Sequence, residues 1–204
     1  MEKFTNLSIE KQNTIIDAAL AAFSANGYKK ASVSDIAAAA GISKAMVFHY
    51  FGTKKVLYLY LINLCGNILV NEFNEKFDNT VTDFFDRIKL ATNIKISVMK
   101  KHPAILSFMG SAYFENDDMV KADIQTILAK GDDLRSRIAL DGMDASKFKD
   151  GIDPKLVLKM LVWFTEGYIN KSPIKAGFDI EDICREFDEC MNLFKNNFYK
   201  EEYI

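Results

Sequence analysis

The sequence predicts an all-α protein, and three observations predict it. Apolar residues recur at helical spacing in nearly every segment. Capping residues stand where those stripes begin. Three prolines and ten glycines in 204 residues supply little of the turn punctuation that a strand-rich fold needs. Hydrophobic residues make up 49% of the chain, enough to bury a sizeable core.

Taken in order, residues 9–25 place Ile16, Ala19, Leu20 and Phe23 on one stripe, with Asn26-Gly27 as the stop. Ser32 precedes a helix over 33–40, with Asp35 three positions on, close to the reciprocal pattern of a capping box. Ser43 opens 44–50, and Thr53 opens a long helix over 54–77 striped by Leu57, Leu61, Leu64 and Ile68. A helix over 81–101 turns Phe84, Ile88, Ala91 and Val98 inward and is broken by Pro103, because the residue before proline is pushed out of helical geometry. Helices over 104–114 and 119–139 follow, then a polar loop, 141–153. Two helices close the chain: 154–168, with Pro154 just inside its start, and 179–199.

Composition excludes several functions. No apolar run is expected to be long enough to cross a bilayer, which takes about 18–20 residues, and the first residues lack the basic and apolar regions of a signal peptide. A cytoplasmic protein with no membrane partner is therefore expected. Cys65, Cys184 and Cys190 are widely spaced and fall on apolar faces, as small buried hydrophobes do. His49 and His102, in separate segments, offer no metal site, and no cofactor is expected. No paired-carboxylate site, nucleophile–histidine set or phosphate-cradling loop is present, and Asp117-Asp118 and Asp132-Asp133 point different ways on a helix, so an enzyme is not expected. Net charge is −2, yet residues up to Lys55 carry +3 and the remainder −5. A basic head on an acidic body suits a small DNA-contacting module joined to a larger domain.

Within that head, 32–51 has the spacing of a helix-turn-helix. Ile36, Ala40, Ile42, Val47 and Tyr50 are the positions that face inward when two short helices cross on a third. Ala37 lies at their closest approach, and Gly41 lies in the turn, where a β-carbon would restrict the backbone. The run Ala38-Ala-Ala-Gly-Ile-Ser-Lys-Ala-Met-Val-Phe-His-Tyr-Phe-Gly-Thr-Lys-Lys-Val-Leu57, with Ile15-Ile-Asp-Ala-Ala-Leu-Ala-Ala-Phe23 and Gly27-Tyr28 upstream, resembles the TetR family signature. The resemblance covers about the first third of the chain. It implies a DNA-binding domain over 1–53 and a helical effector-binding and dimerisation domain over 54–204.

Roles follow residue by residue. Ser43 and Lys44 begin the recognition helix, whose first residues meet base edges in the major groove; Lys44 suits a phosphate or a guanine edge. Ala45 and Met46 stand where the family often has Gly-Thr: Ala45 allows close approach, and Met46 offers an apolar surface to a thymine methyl. Phe48 replaces the family's common tyrosine, keeping an apolar contact without the hydroxyl. His49 and Tyr50 match family positions that donate to phosphate. Lys54 and Lys55, at the next helix start, are expected to meet phosphate, as are Ser32 and Ser34. Val47 and Phe51 are core, and Lys29 and Lys30 solvated surface.

A two-turn recognition helix buries too little DNA surface to select a site alone, so a dimer is expected. The helix over 154–168 is apolar on most of its circumference and must bury two faces; the last helix carries Ile180, Ile183, Phe187, Met191, Phe194 and Phe198. The resemblance implies an isologous interface from this pair, with Leu158, Leu161, Val162, Phe187, Met191 and Phe194 at its centre. Aromatic and methionine side chains in the middle helices, among them Phe84, Phe85, Met109, Tyr113, Phe114 and Tyr168, suit an adaptable pocket; Met99, Phe108 and Trp163 are the expected effector contacts, for an apolar or aromatic small molecule. The expected function is a homodimeric repressor released from a near-palindromic operator on double-stranded DNA by that effector. An activator of the same fold, or a DNA-organising protein without sequence preference, is the alternative.

Overall fold

The computed structural model describes residues 2–171 and 180–204, the side chains of 168–171, 180, 181 and 183 aside. The side chains of Tyr168, Ile180 and Ile183, placed on apolar faces by the sequence, are among those not described. The fold is all-α. Its helices are α1 Glu2–Thr5, α2 Ile9–Lys30, α3 Val33–Ala39, α4 Lys44–Phe51, α5 Lys54–Lys76, α6 Phe84–Lys101, α7 Pro103–Tyr113, α8 Lys121–Leu140, α9 Pro154–Lys171 and α10 Ile180–Phe198. They pack as two compact units, Met1–Glu72 with Ser97–Gly131 and Phe73–Ile96 with Asp132–Ile204.

In the first unit α2 buries Ile15, Ala19, Leu20 and Phe23 against α3, α4, the start of α5, and α7. The expected stop at Asn26-Gly27 is a break rather than an end: Gly27 has φ 66° and ψ 178°, and the chain takes one more turn through Lys30. That backbone region is open essentially to glycine alone. The break strands the Tyr28 N–H, which donates to Glu115 Oε2 at 2.6 Å. Glu115 is fixed in turn by the N–H groups of Asn116 and Asp117, each 3.0 Å from Oε1. A β-carbon on residue 27 would lie 3.1 Å from Glu115 Oε2.

One element was unforeseen, and two expectations need correction here. A short α1 precedes α2, and its Phe4 is fully buried, with its ring centroid 4.7 Å from that of Phe51, 5.6 Å from Tyr60 and 6.0 Å from Tyr50. Helix α5 is long and apolar enough to cross a membrane by length and composition, contrary to the sequence reading. Its Leu57, Tyr58, Leu61, Ile62 and Cys65 are buried in the first unit's core, where apolar area is already removed from water. Of the three cysteines only Cys65 is buried; Cys184 and Cys190 are half-buried.

The second unit is organised at the start of α6, three residues later than the spacing suggested, because Asp83 ends the preceding turn as its cap. Its Oδ1 accepts from the N–H groups of Phe85 and Asp86 at 3.0 and 3.1 Å. Oδ2 pairs with Lys147 at 2.9 Å and Lys195 at 3.5 Å. The Phe84 N–H donates to the Tyr199 hydroxyl at 3.2 Å, and the rings of Phe84, Phe85, Phe148 and Tyr199 form the buried cluster beneath. Phe148 and Tyr199 also form an isolated antiparallel bridge, tying the 141–153 loop to the end of α10. Burial pushes the Asp83 carboxyl up, but the Lys147 hydrogen bond, the Asp86 amide and the two ammonium charges outweigh it and hold the pKa below the ordinary aspartate value.

Two outcomes are expected. Gly27→Ala should lower stability by about 1–3 kcal/mol, from backbone strain plus the crowded carboxylate, read as a lower urea midpoint. Asp83→Asn should cost about 2–4 kcal/mol at neutral pH, under the fully buried figure because both lysines keep partial exposure. A depressed folded pKa gives stability that is present above the unfolded value, about 3.9, and lost as pH falls through the folded value. Urea midpoints measured down through that acidic range should therefore fall less steeply in Asp83→Asn than in the parent protein.

Candidate nucleic-acid interface

Helices α3 and α4 form the expected helix-turn-helix. Ile36, Ala37, Ala40, Val47 and Tyr50 are buried and Ile42 packs partly buried against them. The turn residue Gly41 has φ 66°, as the spacing required. Side chains start each helix: Ser32 Oγ accepts from the Asp35 N–H at 3.3 Å, Ser43 Oγ from Met46 N–H at 3.2 Å, and Thr53 Oγ1 from Val56 N–H at 3.1 Å. A capping hydroxyl uses a lone pair and keeps its own O–H to donate, so Ser32 and Ser43 remain able to meet an acceptor.

With its inner side packed, α4 turns Lys44, Ala45, Met46, Phe48 and His49 to solvent beside Ser43. Met46 and Phe48 are each 37% exposed, an unusual pair of apolar side chains to leave in water on one short helix. Ser34 is exposed and Ser32 half-buried. Tyr50 is buried among the rings of Phe4, Phe51 and His49.

The two lysines at the start of α5 are placed differently from the expectation. Lys54 Nζ donates to the carbonyls of Lys29 at 3.1 Å and Ala31 at 3.0 Å, and lies 4.7 Å from the Tyr28 ring centre. Lys55 pairs with Asp123 at 2.6 Å. Both ammonium groups are engaged within their own unit. Lys54 satisfies carbonyls freed at the end of α2, a role the sequence did not disclose because the partners lie 23 and 25 residues away.

The expected effector and dimer residues are not gathered into one place. Phe108 is fully buried in the first unit, against Phe23 and Tyr58; Met99, half-buried, belongs to the same unit. Trp163, 55% exposed, lies on α9 in the second unit, with Lys159 Nζ 4.8 Å from its ring centre. It lines a groove of about 610 Å³ together with Leu140, Leu158, Val162, Arg135 and Lys155. Leu158, Leu161 and Met191 are buried in the second unit's own core, with Phe187 and Phe194 packed on it and Val162 half-buried. Phe84 and Phe85 belong to that core too. Among the described residues, the large apolar side chains left exposed on this pair of helices, besides Trp163, are Leu156 on α9 and Leu193 on α10.

Residues 15–61 match the family model for bacterial regulatory proteins of the tetR family, spanning the buried stripe of α2, the helix-turn-helix and the start of α5. Over these residues the chain carries a tetR-family regulatory domain. Among similar proteins, the nucleoid occlusion factor SlmA of Alteromonas mediterranea is 24% identical over 176 residues, 83% of this chain and 86% of that one. A TetR family transcriptional regulator from Chloroflexus aurantiacus superposes with a TM-score of 0.72 at 19% identity, covering 98% of this chain and 99% of the other. The regulator FadR from Bacillus subtilis, in complex with stearoyl-CoA, gives 0.66 at 19% identity over 88% and 96%. At these identities the likeness establishes the fold.

Phe4 supports the back of α4 without reaching its solvent-facing side, which separates packing from exposed surface. Phe4→Ala should lower stability by about 3–5 kcal/mol, measured by urea unfolding. Lys44→Ala should leave the urea midpoint within about 0.5 kcal/mol of the parent.

Proposed function

We propose that the protein is a homodimeric, cytoplasmic repressor that binds a near-palindromic operator and leaves it when a small effector binds. The observation that supports the DNA half of this reading best is the outer face of α4. There a serine-capped helix start, a lysine and two half-open apolar side chains share a short helix held rigidly from behind. Ser43, Lys44 and His49 would meet phosphate or base edges; Ala45, Met46 and Phe48 would read apolar features such as thymine methyls. Ser32 and Ser34 flank them as phosphate contacts, and Tyr50 contributes its ring as support and its hydroxyl as a donor. Lys54 and Lys55 would reach phosphate only by leaving their present partners, so their substitution is expected to move the salt dependence less than that of Lys44.

A dimer through α9 and α10 would set the two recognition helices one DNA turn apart, about 34 Å. The exposed Leu156, Trp163 and Leu193 are apolar surface for such a contact, beyond the half-buried Val162, Phe187 and Phe194. The effector reading draws on FadR, which was solved with stearoyl-CoA, and on the cavities of the second unit. An effector need only favour a conformation with the wrong half-site separation.

The similarity to a nucleoid occlusion factor favours a second reading, a DNA-organising protein. Selection of bound duplexes from a random pool, followed by competition between selected and random DNA, decides between them. The repressor reading expects a near-palindrome with half-site centres about 10 bp apart and preference of at least about a thousandfold. Lys44→Ala should weaken operator binding about tenfold or more and, if its contact is to phosphate, flatten the salt slope by about one. Equal affinity for random duplex would reject sequence-specific regulation. Reporter expression with and without the protein distinguishes repression from activation.

A further inference from the structure

A pocket of about 200 Å³ opens in the second unit, where the chain between α5 and α6 meets the first turn of α6 and the end of α8. Arg87 lines it, although only 1% of that residue is exposed. Its Nε donates to the Ile138 carbonyl at 2.8 Å and its Nη1 to the Val81 carbonyl at 2.6 Å. The Phe77 ring centre lies 5.0 Å from the guanidinium carbon. An arginine carries five N–H groups, and these two bonds leave the end of the fork free. Among the described residues nothing accepts from Nη2 or from the second Nη1 hydrogen. Buried donors without partners are costly, so an acceptor that enters the pocket and meets them is stabilised.

The rest of the wall indicates which acceptor. Arg137 lines the pocket from its exposed side and, among the described residues, its guanidinium makes no ion pair or hydrogen bond. Asp141 lines it too, yet closes no ion pair with either arginine. Two guanidinium groups and one carboxylate leave the wall with a net charge of +1, which a monoanion neutralises and a dianion overshoots. Leu134 and Ile138 join the Phe77 ring as the apolar part. The end of an arginine fork matches the two oxygens of a carboxylate. The volume falls short of the roughly 300 Å³ of a drug-sized ligand site, but exceeds the roughly 150 Å³ that holds benzene.

We propose that this pocket binds a small monocarboxylate with a compact apolar body, of about the size of benzoate. Its carboxylate takes the free end of the Arg87 fork with Arg137 beside it, and its body lies against Phe77, Leu134 and Ile138. This gives the effector of the proposed repressor a chemical class and a place, and to that extent rests on that reading. None of Met99, Phe108 and Trp163 lines the pocket, so the site is distinct from the contacts expected from the sequence.

The test uses the full-length protein without DNA. Benzoate, its neutral analogue benzamide and inorganic phosphate are titrated by calorimetry. The parent protein should bind benzoate about tenfold or more tighter than benzamide, the worth of one charge-assisted hydrogen bond, and tighter than phosphate. Arg87 also holds two backbone carbonyls, so its removal would confound binding with folding, and the variants are made on the rim instead. Arg137→Met should weaken benzoate about tenfold and leave benzamide unchanged. Asp141→Asn, which removes the opposing charge, should tighten benzoate about threefold or more. Arg185→Met removes an exposed guanidinium of the same unit outside the pocket and should change neither ligand. Equal affinity for benzoate and benzamide, tighter binding of phosphate, or no gain in Asp141→Asn overturns the proposal. So does a loss in Arg185→Met that equals the loss in Arg137→Met. Because no DNA is present, failure here leaves the operator experiment to judge the regulatory reading separately.

Discussion

The first unit depends on how one broken helix end is satisfied. Where α2 breaks at Gly27, backbone groups that a continuous helix would pair internally are left over, and buried backbone groups without partners are costly. Glu115 takes the freed Tyr28 N–H, and Lys54 takes the carbonyls of Lys29 and Ala31. One partner comes from beyond the end of α7 and the other from the first residue of α5. Together they fix the strand of chain that leads directly into Ser32 and the helix-turn-helix. The helix-turn-helix is thus held in place by a carboxylate and an ammonium that lie apart from the exposed face of α4.

The second unit uses the same device once more, with charge in place of backbone freedom. Asp83 caps α6 and is held by Lys147 from the loop and Lys195 from α10. Arg87, a turn later, is almost wholly buried; its Nε donates to the Ile138 carbonyl at 2.8 Å and one terminal nitrogen donates to the Val81 carbonyl at 2.6 Å. These are charges whose partners are built into the chain.

Much of the fold was legible because its signals are local. Ser32, Ser43 and Thr53 announced three helix starts, and each hydroxyl caps as expected. The inward set Ile36, Ala40, Val47 and Tyr50 follows from helical period alone. What stayed hidden depends on residues far apart in sequence. Nothing near Glu115 reveals that its partner is 87 residues upstream, and nothing near Lys54 reveals that its charge is committed before DNA arrives. Periodicity gave the apolar positions of α9 and α10 but could not divide them between an own-core face and an outer one. Leu158, Leu161 and Met191 lie in the core, and Leu156 and Leu193 lie outside. Phe4 was missed because a single aromatic in a polar segment carries no period.

The broken end of α2 also bears on modularity. A reading head of this kind invites transplantation onto other sensor domains, with a cut between residues 53 and 54. Such a graft would leave behind Lys54, Tyr58, Phe108 and Glu115, which together close the break and fill the core beside Phe23. The portable piece is discontinuous, running to Glu72 and resuming over Ser97–Gly131. Chimaeras built from this protein would have to carry both stretches, so new specificities are more readily introduced by exchanging residues on α4 than by exchanging the head.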